Sequence, residues 1–258
     1  MNDDEKESDF YVGYEDHASA RIAGFFRVRI IALLLAGPLL LGVVAAAQKG
    51  FTPSLFEFGV EREFIGWVQA DPIPRLISLR PGNAAHCGRV SSYALVSLGK
   101  FGAEEAIGAF VGRAVRVRGT LVYRDGDTMI ELADAGIEEI GREMPRPAGR
   151  VESLGQQSFV GEIVDTKCDY GVMNPGSGKV HRACAALCIS GGIPPALVVN
   201  DGKGGRVSML LVDERGGALG SRILDRVGRP VSVAGEVFRY DDLLVLHADP
   251  SAIERLSE

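Results

Sequence analysis

An internal repeat constrains this chain more than any other feature. The segment from Gly112 to Ile140 (GRAVRVRGTLVYRDGDTMIELADAGIEEI) aligns without a gap on Gly228 to Leu256 (GRPVSVAGEVFRYDDLLVLHADPSAIERL), at an offset of 116 residues. The identical pairs are Gly112/Gly228, Arg113/Arg229, Val115/Val231, Val117/Val233, Gly119/Gly235, Asp125/Asp241, Ile137/Ile253 and Glu138/Glu254. Each copy also opens on a similar segment, FIGWVQAD from Phe64 and FVGEIVDT from Phe159, at an offset of 95. Self-similarity of this kind means one structural unit built twice. The second copy holds 21 more residues between its opening and closing segments, the difference between the two offsets.

Within each copy the closing segment reads as a β-hairpin. Val115, Val117, Leu121 and Tyr123 alternate with Arg116, Arg118, Thr120 and Val122, the period of a half-buried strand. Asp125-Gly126 supplies the positive φ of a tight turn, and Thr128 to Leu132 returns. The second copy turns at Tyr240-Asp241-Asp242 and returns through Leu243 to His247. Gly119 and Gly235 interrupt the outgoing strands, as a bulge or bend in a small barrel requires. Short helices are expected at Ala103 to Val111 and Leu219 to Val227. Strand, strand, helix and kinked hairpin is the order of an OB-like barrel, a small β-barrel or sandwich being the plainer alternative. The expected fold is mainly β: OB-like domains at 60–140 and 158–258, joined by a Pro- and Gly-bearing linker at 141–157.

Ile30 to Ala47 is an unbroken apolar run, which predicts a transmembrane helix kinked at Pro38. Arg21, Arg27 and Arg29 precede it and only Lys49 follows closely. The positive-inside rule then leaves residues 1–29 as a cytoplasmic tail and the bulk of the chain outside, periplasmic at a bacterial inner membrane. A cleaved signal peptide ending near Ala45-Ala46-Ala47 is the alternative, though signal-peptide apolar cores are shorter. Either topology exposes the body to a compartment that permits disulfides. The acids of the tail (Asp3, Asp4, Glu5, Glu7, Asp9, Glu15, Asp16) read as a solvated segment. A formal charge of −6 and the lack of a long basic run argue against nucleic acid as partner.

The extra length of the second copy holds the chemistry. An insertion at 166–195 carries Cys168, Met173, His181, Cys184 and Cys188. At about 100° per residue, His181, Cys184 and Cys188 share one stripe of a helix. Thiolates with an imidazole suit zinc or copper, and the Met173 thioether adds a preference for Cu(I). The competing expectation is a disulfide staple, with Cys168 bridged to Cys184 or Cys188, or Cys87 clamping one copy to the other. His86-Cys87 lies in the matching interval of the first copy. Glu162, Asp165 and Asp169 are candidate partners of the ligands, or simply solvated acids. NPGSGKV at 174–180 fails the phosphate-loop pattern at Met173 and Val180, so no nucleotide is expected. His17 falls in the tail and His247 ends an apolar strand, which leaves no legible catalytic triad.

The pieces VDTKC, GK-H, CAALC and GGIPP together resemble a cysteine-bearing insertion in uncharacterised bacterial exported or membrane-anchored proteins with small OB-like barrels. The resemblance implies an exported, site-bearing module and assigns no reaction. The chain reads as a binding or accessory protein of a membrane complex, respiratory or metal-handling, rather than as an enzyme. A disulfide-stapled structural subunit and a thiol–disulfide redox protein are the alternatives.

Overall fold

The computed structural model describes residues 20–47, 54–80, 90–141, 145–147, 149–200 and 205–257. His17, His86 and Cys87 lie outside them, so the clamp through Cys87 does too. The chain divides into two compact units, Met1–Phe51 and Thr52–Glu258.

The first unit is one helix, α1 (Ala20–Ala47), with Pro38 inside it. By length and composition it can cross a membrane. It starts ten residues before the apolar run, because Ala20 to Arg29 holds no helix breaker but Gly24 and packs Arg29 over the Phe25 ring. The long arginine stems extend the helix beyond the apolar stretch without burying charge.

The second unit is mainly β. Its first half runs β1 (Ser54–Gln69), β2 (Arg75–Leu79), β3 (Val90–Val96), α2 (Glu104–Ile107), β4 (Ala114–Arg124) and β5 (Asp127–Glu139). These strands close a barrel in the order β1-β2-β3-β5-β4. Val68, Leu76, Leu95, Val115, Val117, Ile130 and Leu132 form one buried core, and Ile107 of α2 joins it. The second half runs β6 (Val151–Asp165), α3 (Arg182–Ser190), β7 (Pro195–Asn200), β8 (Arg206–Val212), β9 (Pro230–Tyr240), β10 (Leu243–His247) and β11 (Glu254–Arg255). Its sheet has the order β10-β8-β7-β6-β9-β11, and β10 also pairs with β9. Each expected helix is shorter than predicted. A 3-10 turn completes α2 at Gly108–Phe110, and only a 3-10 turn, Gly220–Ile223, stands in the second copy.

The repeat extends to the hydrogen-bond register. Phe64 pairs with Val117 and Phe159 with Val233. Ala94 pairs with Met129, in parallel, as Leu210 pairs with Val245. Asp125 and Asp241 both take positive φ, 52° and 57°, at the hairpin turns. A Cβ on Gly119 would collide with the Glu131 carbonyl, and one on Gly235 with the His247 carbonyl, again equivalent positions. The predicted strand interruption is therefore a close backbone crossing, made twice.

Residues 151–157, expected as linker, are the outer half of β6 and pair with β9 from Val151↔Tyr240 to Gln157↔Gly235. Glu152, Ser153, Gln156 and Gln157 give this stretch polar groups on both faces, so the backbone ladder holds it without an apolar alternation.

The two halves meet through matching faces. Ala94, Val96 and Met129 share a buried cluster with Leu210, Val212 and Val245, their own counterparts at the 116-residue offset. Such a contact is isologous in kind, as in a two-fold dimer built within one chain. Burying each Val, Leu or Met side chain there contributes about 1.5–3 kcal/mol. The Asp242 carboxylate adds a polar tie, accepting from Ser92 N at 3.1 and 3.2 Å.

Candidate metal centre

The site grows from the connection that differs most in length between the copies. Between β1 and β2 the chain needs residues 70–74; between β6 and β7 it takes residues 166–194. The base of the long connection is tied off at Thr166, whose hydroxyl donates to Pro194 O at 2.8 Å. Lys167 follows, only 2 % exposed. Its ammonium reaches into the first barrel, donating to Ser97 O at 2.9 Å and Gly99 O at 2.7 Å and pairing with Glu131. A buried ammonium is tolerable because every proton has a partner.

Cys168–Val172 then forms a single wide π-type turn. The returning loop crosses directly over it, and a Cβ on Gly176 would strike the Cys168 carbonyl. Gly176 thus serves close backbone approach beside the cysteines. Asp169 is buried and pairs with Arg206 and with Arg124, which binds the turn to both barrels.

Helix α3 presents two stripes. Ala185 and Ile189 pack into the second barrel's core, while Cys184 and Cys188 turn toward the cluster between the barrels. Arg182 fixes the helix start through Gly228 O at 2.9 and 3.2 Å. The helix end is pressed against the first barrel: Gly102 N donates to Gly191 O at 2.9 Å, and a Cβ on Gly191 would meet the Lys100 carbonyl.

These elements bring Cys168, Cys184 and Cys188 together, their sulfurs within 4.8 Å of one another. Metal–sulfur bonds of about 2.3 Å place the sulfurs of one ion roughly 4 Å apart, so the trio is close enough to hold a metal ion. Cys168 and Cys188 are buried and Cys184 is partly exposed. All three are free thiols, which overturns the expected bridge from Cys168 to Cys184 or Cys188. The halves are held together without a covalent link. Apolar packing and the Lys167–Glu131 and Asp169–Arg206 pairs already join the halves.

His181 leaves the helical stripe on which the sequence placed it. It precedes α3 as the N-terminal boundary residue, and its Nε2 stands 3.1 Å from Asp165 Oδ2. Asp165 is fully buried and also accepts from Cys168 N at 2.8 Å. Asp165, Cys168 and His181 thus form a second close group that shares Cys168 with the first. Met173 is 45 % exposed, in extended backbone after the turn. Glu162 accepts from Gly178 N at 2.5 Å. None of the three acids is merely solvated.

Nothing in the local sequence pattern points to Lys100. It lies in the loop after β3, yet its ammonium is 2.8 Å from Cys184 Sγ and 3.5 Å from Cys188 Sγ. The hydrogen bond with Cys184 raises the lysine pKa above its ordinary value. A hydrogen bond from Cys168, helped by the Lys100 charge, lowers the Cys188 thiol to about 7 against the opposing effect of burial. The same bond, with burial, pushes the Cys168 thiol up. The two thiols thus share a proton in a Cys168–Cys188 hydrogen bond, and a bound metal would displace it, since the thiolate is the form that ligates metals.

No family model, curated protein or solved structure matches this chain.

Proposed function

We propose that this is a membrane-anchored accessory protein that holds a soft metal ion at Cys168, Cys184 and Cys188, in support of a respiratory or metal-handling membrane complex. One observation carries the reading: three free thiols, drawn from a turn and a helix, converge within 4.8 Å at the junction of two barrels. The Asp165–His181 pair beside Cys168 supports it, since hydrogen-bonded partners orient metal ligands. Strand order β1-β2-β3-β5-β4 with a helix ahead of β4 supports an OB-like identity for the barrels. The length and apolarity of α1 support an anchor, and its flanking arginines support a cytoplasmic N-terminus with the body in the periplasm.

Cys184→Ser tests the site. Cys184 is partly exposed, so the change removes a sulfur with little loss of packing. The expected result is loss of stoichiometric metal binding with the thermal transition retained. Unchanged binding would contradict the reading.

A second reading, thiol–disulfide exchange, is favoured by the Lys100 ammonium beside Cys184 and the lowered Cys188 thiol. Turnover in an insulin-reduction assay would support it, and a purely metal-binding site gives none.

A further inference from the structure

The trio has an asymmetry that bears on which metal it takes. Among the described His, Cys, Asp and Glu side chains, none other joins the three sulfurs within 4.8 Å. Asp165 and His181 are hydrogen-bonded to each other and group with Cys168 instead of with the helix thiols. Lys100 is the charged neighbour, 2.8 and 3.5 Å from two of the sulfurs. An ammonium has three N–H donors and no lone pair, so it brings charge to the site and no fourth bond. Structural zinc sites are almost always tetrahedral with four protein ligands, whereas the soft Cu(I) ion is satisfied by a shell of three thiolates.

Charge points the same way. Three thiolates around a monovalent ion leave a complex one unit more negative than the same thiolates around a divalent ion. The fixed cation of Lys100 stabilises the more negative complex further. For one extra unit charge at about 4 Å, at a dielectric between that of a protein surface and water, the preference is roughly tenfold or more. Lys100 is exposed and reaches in from the first barrel, so the charge belongs to one barrel and the sulfurs to the other.

We propose that the three-sulfur site selects a monovalent soft cation, Cu(I) in kind, and that Lys100 sets this selectivity. This rests on the metal-site reading above. The test uses the full chain in detergent micelles, anaerobic and with thiols reduced. Cu(I) and Zn(II) affinities are each measured by competition with a chromophoric chelator, for wild type, Lys100→Met and Lys100→Arg. One Cu(I) per chain with only sulfur neighbours in X-ray absorption is expected. The Cu(I)-over-Zn(II) affinity ratio should fall about tenfold in Lys100→Met and hold in Lys100→Arg. A ratio unchanged in Lys100→Met, or zinc bound more tightly with nitrogen or oxygen in its shell, overturns the proposal while leaving a metal site. If wild type binds neither ion stoichiometrically, the metal-site reading falls and this one with it.

Discussion

The two halves share one strand plan and differ most in the connection between their first two strands. Their first strands pair in the same register from Glu61 and Gln156 onward, their hairpins turn at Asp125 and Asp241, and their glycines cross equivalent carbonyls. Yet residues 70–74 merely turn the chain in the first copy, while residues 166–194 build a helix, a wide turn and a buried polar network in the second. The strands specify the barrel, and the loop between the first two of them is free to specialise. In this chain the specialised loop both joins the two halves and gathers the thiols, so the site and the junction are one structure. Packing equivalent faces together leaves a symmetric junction, and the insertion breaks that symmetry on one side only.

The largest expected effect comes from breaking the insertion's hold on the first barrel. Lys167→Met strands the Glu131 carboxylate and the Ser97 and Gly99 carbonyls, and should cost about 3–5 kcal/mol in urea unfolding. Adding Glu131→Gln should recover part of the loss. A change under about 1 kcal/mol would mean that the pair does not bind the insertion down.

The repeat itself is tested by Gly119→Ala and Gly235→Ala. Each added Cβ meets a backbone carbonyl that has no room to yield, so each should cost about 1–3 kcal/mol. Near-equal losses would support equivalent barrels. A loss confined to one copy would show that the register match does not extend to packing.

A smaller effect distinguishes the copies by pH. Asp127 stands where the second copy has Leu243, and burial raises its carboxyl to about 6. Below about pH 4 the group is protonated in folded and unfolded chains alike, and costs nothing. Between about pH 4 and 6 the unfolded chain ionises this acid while the folded chain keeps it protonated, so stability falls across that range and the loss is complete above about 6. Asp127→Asn should therefore gain about 2 kcal/mol at pH 7 and nothing at pH 4, read from paired denaturation curves. A gain independent of pH would assign the effect to packing.

What was legible in the sequence was whatever follows from local pattern. Alternation at Val115 and Val117 marked the hairpin strands, the repeat marked two copies, and cysteine spacing marked the insertion. The outer half of β6 was not legible, because its Glu152, Ser153, Gln156 and Gln157 are held by backbone pairing instead of an apolar face. The partner of His181 was not legible, because buried Asp165 comes from the end of β6 and draws the imidazole to its carboxylate. Lys100 lies 84 residues from Cys184, in a loop whose direction only the barrel decides. The free thiols were equally hidden, since spacing alone cannot tell a ligand trio from a staple.

The most direct measurement is a native mass spectrum of the full chain, extracted in detergent with neither reductant nor chelator. One metal ion per chain is expected, with Cys168, Cys184 and Cys188 open to alkylation once the ion is removed. A metal-free chain, lighter by the two hydrogens lost in each disulfide, would contradict it and return the cysteines to a stapling role.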